Sequence, residues 1–172
     1  MNSKYLPVIN KANLEKAKAS ENPDDLYDLL AQPLHEELYK QGSFEFKDTL
    51  SSGQQLLLSY DYLQTNVGQG GFIQLIQNGY ISLLPDLIEK LYELRADDMA
   101  KVLDDVLKVY VLNREQLNKP TTVQEFALLY TEFTEFEEID ARFGALNLST
   151  IKTILKYALA HLDEFLVFDS RA

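Results

Sequence analysis

Residues 51–80 read SSGQQLLLSYDYLQTNVGQGGFIQLIQNGY, and Asp61 is the only one of them charged at neutral pH. An acidic chain can leave so long a stretch neutral when most of it is buried. Leu56, Leu57, Tyr60, Leu63 and Val67 recur at three- and four-residue steps, which is one face of a helix. Ser51 or Ser52 is placed to cap it. Gly68 is the expected left-handed stop. Gly70 and Gly71 permit a sharp re-entry into a short helix over 72–76, and Asn78-Gly79 closes it. The stretch spells helix, glycine corner, helix.

Toward the N-terminus, Tyr5, Val8, Ile9 and Ala12 predict a helix over 3–19, with Pro7 tolerated in its first turn. A break at 20–23 precedes a second helix, opened by Asn22 or Pro23, whose first turn carries Asp24 and Asp25. Its apolar stripe runs from Leu26 to Leu38, Pro33 is expected to kink or split it, and Gly42 ends it. Phe44-Glu45-Phe46 reads as a linker with two anchoring aromatics.

Toward the C-terminus, the spacing predicts helices over 81–94, with Pro85 in the first turn, and over 96–114. Thr122 and Glu125 form a capping box, and a second Thr-x-x-Glu at Thr134 and Glu137 suggests that two helices follow. Gly144 is expected to end the second. Ser149 or Thr150 then caps a last helix with Ile151, Ile154, Leu155 and Ala158 inward. With no strand-rich region and no solenoid period, the fold class is all-α. The expected form is a single compact multi-helix domain at 51–168 with an N-terminal helical arm at 1–50.

A hydrophobic content of 46% supports a real core rather than disorder. The chain has no cysteine, which excludes a disulfide framework and a thiolate metal site. No run approaches the roughly 18 apolar residues of a membrane span, and the N-terminus lacks a signal-like apolar run. A cytoplasmic protein is the expectation. The net charge of −11 opposes direct nucleic-acid binding, because phosphates would meet a repelling field.

Catalytic and metal-binding patterns are sparse. Gly68-Gln69-Gly70-Gly71 follows a helix, and no Lys or hydroxyl residue comes directly after it, so a structural corner is the better reading than a nucleotide loop. The two histidines, His35 and His161, belong to no ligand-spaced motif, and neither a metal nor a cofactor is expected. Ser59, Tyr60 and Asp61 have no nearby histidine and no nucleophile elbow.

Acid is distributed less evenly. Residues 120–141 contain no Lys or Arg, yet hold Glu125, Glu132, Glu135, Glu137, Glu138 and Asp140. On a continuous helix Glu132, Glu135 and Glu138 would form one outer ridge with neighbours roughly 5–6 Å apart, close to the phosphate spacing of a DNA strand. A helix of that length would span about 30 Å, near the ~34 Å turn of B-DNA. A break at Thr134 would bend the ridge. A second base-free run carries Asp24, Asp25 and Asp28, with Glu36 and Glu37. On the residues alone, ordinary solvated helix faces are the better account of both runs.

The stretch from Gly70 through Asn78 resembles the central motif of the bacterial DNA-mimic protein family first described in Neisseria. Gly70, Gly71, Phe72, Gln74 and Asn78 match it, and Gln69 stands where the family usually has Asn. FTEFEEIDARF and the later AHLDEFL resemble the family's tail, so the likeness covers roughly 51–167. The resemblance implies an all-helical fold without catalytic activity, a homodimer, and carboxylates offered in place of DNA phosphates to a DNA-binding regulator. The expectation is a non-enzymatic protein that meets a basic partner, such as a transcription factor, through Glu132, Glu135, Glu137, Glu138 and Asp140. Asp24, Asp25 and Asp28 form a second patch. One rival is an interaction module with an apolar groove near Phe44, Phe46 or Phe72. The other is an enzyme with a deep polar site near Asp61 and Gln74.

Overall fold

Two asparagines start the first two helices. Pro7 and the β-branched Val8-Ile9 hold the chain extended, as β1 (Val8–Ile9), where a helix was expected. The Asn10 side chain then accepts from the Ala12 N–H at 2.7 Å, so α1 covers only Lys11–Ala19. Asn22 caps α2 (Pro23–Gln41) in the same way, with Pro23 in the first turn. Pro33 lies inside α2 without splitting it. Gly42, left-handed at φ 60°, closes the helix. Phe44–Thr49, expected as a linker, winds into a 3₁₀ turn. The computed structural model describes residues 4–169, and for Phe44 the backbone alone.

Ser51 caps α3 (Ser52–Gln77) reciprocally with Gln54: each side chain meets the other's backbone N–H, at 2.9 and 3.1 Å. The glycine corner interrupts α3 at Gly70 and Gly71, two residues later than expected; Gly68 stays helical. A 3₁₀ turn (Tyr80–Leu83) leads into α4 (Leu84–Glu93), and α5 (Asp97–Leu117) follows, irregular at Asn113. The Thr122–Glu125 capping box starts α6 (Val123–Glu132). After a break at Phe133-Thr134, α7 (Glu135–Ala160) runs straight through Gly144, Ser149 and Thr150. Neither a stop at Gly144 nor a new cap at Ser149 or Thr150 occurs. β2 (Val167–Phe168) pairs parallel with β1, Val8 opposite Val167.

Seven α-helices and one two-residue strand pair make the described chain all-α. The residues group into two units, with boundaries inside α3 and α7. One holds the described residues up to Leu58 together with those from Ile151 onward. Its core includes Leu14, Tyr27, Leu34, Phe46, Leu57 and Phe165. Gln54 ties its two chain ends by donating to the carbonyls of Tyr5 and Phe165, at 3.0 and 3.1 Å. The other unit, Ser59–Thr150, has a core built on Tyr60, Leu63, Phe72, Leu91, Val106 and Phe136. Among the described residues no helix is long and apolar enough to cross a membrane.

Candidate functional site

The corner that organises the second unit is held by a side chain from α7. Gly71 has φ 68°, a conformation that L side chains rarely adopt. The turn frees the N–H of Phe72 at the start of a new helical segment, and the Asp140 carboxylate accepts it at 2.9 Å. A Cβ on Gly71 would run into that carboxylate and lie 3.0 Å from the Tyr130 hydroxyl. Burial raises the Asp140 pKa above its ordinary value, and the bond from Phe72 pulls it partly back. Burial and the nearby Asp140 push the Tyr130 hydroxyl up to about 12. That hydroxyl is buried without a hydrogen-bond partner among the described residues.

The other motif residues brace the same turn. Phe72 is fully buried, edge-on to Phe143 at 5.5 Å. Gln74 donates to Gln69 across the corner at 3.1 Å, and Asn78 donates to the buried Asn66 at 2.7 Å. Gln77, which the sequence did not single out, donates to the carbonyls of Leu117 and Lys119 and accepts from Thr121. Three hydrogen bonds thus fix the loop ahead of α6. Nothing in the sequence links Gln77 to residues some forty positions away.

Asp61 and Gln74, the centre of the enzymatic alternative, are served separately. Asp61 accepts from Gln64 at 2.9 Å on its own helix, and Gln64 in turn accepts from Asn147. Gln74 lines a cavity of about 480 Å³ with Gln77, Asn78, Thr121, Val123 and Phe126, and Asp61 is not part of that lining. Asp140, at the corner, is a carboxylate whose pKa is raised. Of the aromatics expected beside an apolar groove, Phe46 and Phe72 are both buried. The Phe44 side chain lies outside the described residues.

The acids of 120–141 separate into two groups. Glu132, Glu135, Glu137 and Glu138 are exposed, and none has an ion pair among the described residues. Arg142, the first base after the run, bonds Asp105 of α5 at 2.9 Å, and Lys108 bonds the same carboxylate. Those two contacts, Lys108 foremost, hold Asp105 below the usual carboxylate range. Asp140 stands apart from the four glutamates: it faces the corner and is half-buried. Glu125 closes its capping box on the Thr122 N–H at 2.7 Å, which lowers its pKa. The continuous ridge is not formed. Glu132 ends α6 and Glu135 starts α7, so the acids turn a corner instead of following one axis.

In the other unit Asp24, Asp25 and Asp28 are exposed on the first turns of α2. Asp25 accepts from the Ser20 hydroxyl at 2.5 Å. Asp25 and Asp28 border a cavity of about 740 Å³ between α1 and α2, which Lys16 also lines.

The fold and its surface define an all-helical, acidic protein with a braced glycine corner and a group of exposed glutamates that have no ion pair among the described residues. Residues 48–161, about two thirds of the chain, match the family described as DMP19-like protein, and the chain belongs to that family. The match bears out the DNA-mimic resemblance carried by the corner motif. Among curated proteins nothing matches the chain.

Proposed function

We propose that the chain is a non-enzymatic binding protein of the bacterial cytoplasm that presents carboxylates to the basic surface of a DNA-binding protein, in competition with DNA. Glu132, Glu135, Glu137 and Glu138 form the principal contact surface, and Asp24, Asp25 and Asp28 a second one. The observation that carries this reading is that the four glutamates have no ion pair among the described residues, while Arg142 is committed to Asp105. Membership of the DMP19-like family supports it independently. Unpaired acids on a chain of net charge −11 set up a field that draws in cations and steers a basic patch into register.

The test is co-purification from the native host at low and high salt, followed by titration of the recovered partner. Affinity should fall steeply as salt rises. Exposed charge pairs contribute about 0.2–1 kcal/mol each, so Glu132/Glu135/Glu138→Gln together should weaken binding about three- to a hundredfold. Binding that ignores both salt and the triple substitution would overturn the proposal. Sedimentation of the same samples reads the homodimer that the family resemblance implies.

A further inference from the structure

Helix α6 is the least covered helix of its unit relative to its apolar content. Of its ten residues only Leu129 is buried, with Phe126 and Tyr130 half-covered. Val123 is 88% exposed and Leu128 62%. At 100° per residue, Val123, Ala127 and Thr131 step along one exposed side of the helix over about 12 Å, and Leu128 stands at the edge of that side with Gln124 between it and Val123, a ridge that is apolar at Val123, Ala127 and Leu128. Solubility and charge display both favour Lys or Glu at such positions. Val and Leu there leave apolar area in water that a partner can cover.

The charge on the ridge's own segment, from 120 to 141, has one sign, with Lys119 just ahead of it. Glu125 lies three residues before Leu128 and Glu132 four after it, both on Leu128's side of the helix. Glu135, Glu137 and Glu138 follow directly on α7. No Lys or Arg occurs between 120 and 141. A second copy of this chain would bring like charge against like charge here. A naked polycation would satisfy the glutamates and leave Leu128 wet.

The complement of an apolar ridge edged with carboxylates is a helix with an apolar stripe edged with Lys and Arg. We infer that α6, with the first turn of α7, seats one basic amphipathic helix of the partner protein. This inference rests on the acidic-surface reading and names the partner's contacting element. The α6 backbone is satisfied within the helix, so an extended segment would gain no ladder there, whereas helices pack ridge into groove. The 480 Å³ cavity between the end of α3 and the start of α6 opens beside Val123 and can take a side chain from such a partner.

Two synthetic peptides of identical Lys, Leu and Ala composition test it by fluorescence anisotropy on the full chain. In one, Leu recurs at i, i+3, i+4 and i+7; in the other the order is scrambled so that no face forms. The amphipathic peptide should bind about tenfold or more tightly, the worth of one well-buried leucine. Val123→Ser/Leu128→Ser should erase that preference while leaving the scrambled peptide's affinity unchanged. Both positions are exposed, and circular dichroism checks that the helix content is retained. Glu132/Glu135/Glu138→Gln should weaken both peptides. Equal binding of the two peptides, or a preference that survives the double serine variant, overturns the inference and leaves the acidic-surface reading standing. Failure of both peptides to bind removes both. Conversion of a dimer to a monomer by the double serine variant, read by sedimentation, makes the ridge a contact between copies and also overturns it.

Discussion

Asp140 shows how one side chain can carry a structural task that its place in the sequence does not reveal. In the sequence it closes a run of acids, two residues after Glu138 and two before Arg142, and so reads as part of an outer surface. In the structure it accepts the Phe72 N–H at a corner 68 positions away. No local pattern carries that pairing, although the corner itself was legible from Gly70, Gly71, Phe72, Gln74 and Asn78. The pairing has a pH signature. Burial raises the folded-state pKa of Asp140 above its ordinary 3.8, so the folded chain holds this proton more tightly than the unfolded chain. The stability contributed by the group is therefore complete below the ordinary value. It is lost as pH rises through the raised one. Asp140→Asn keeps an acceptor for Phe72 and removes the titration. Thermal melts across the carboxylate range should show the wild type falling relative to the variant as pH rises, with the two closest at the acid end. Parallel curves would mean that the carboxylate gains as much from Phe72 as it loses to burial.

At the scale of elements, three glycines tempt the same reading and have different roles. Gly68, Gly71 and Gly144 each follow an apolar helical run, and helix stops were expected at the first and the last. Only Gly71 takes a positive φ, at the corner. A glycine permits a left-handed turn without commanding one; here the turn is fixed by Asp140 and by burial of Phe72, which lie outside any local window. The same limit explains α7, read as two helices because Gly144 and Ser149 looked like a stop and a start. Capping signals with their own hydrogen-bond logic proved more legible: Thr122 and Glu125 form their box, and the break at Thr134 is real. The contrast between glycines is measurable. Gly71→Ala places a Cβ against the Asp140 carboxylate in a left-handed conformation, and should cost about 2–4 kcal/mol. Gly144 is helical, and a Cβ there meets nothing within 4 Å. Gly144→Ala should stabilise the chain by about 0.5–1 kcal/mol. Urea unfolding midpoints moving in opposite directions would bear this out, and a shared direction would refute it.

For the whole molecule, the charge balance was legible from the sequence and its placement was not. Twenty-seven acids against sixteen bases give −11 before any fold is known. That four of the lysines would pair with acids one helical turn away required coordinates. Lys18–Glu15, Lys40–Glu37, Lys101–Asp98 and Lys108–Asp105 are all three residues apart on their own helices. Exposed pairs of this kind contribute about 0.3–0.5 kcal/mol, too little to offset the mutual repulsion of an excess of acids. Folding brings that excess closer together than it lies in the unfolded chain, so screening should favour the folded state. The Debye length shrinks from about 30 Å at 0.01 M salt to about 8 Å at 0.15 M, which spans the distances over which the surface acids repel. The melting temperature should therefore rise with sodium chloride over this range, while affinity for a basic partner falls. The opposed slopes separate the proposed function from general loss of structure. A protein that merely loosened in salt would lose stability and binding together, whereas a carboxylate display becomes more stable as its hold on the partner weakens. A melting temperature that drops with salt would show that attractive pairs such as Asp105 with Arg142 dominate the folded state, and that the surface is less one-sided than its composition.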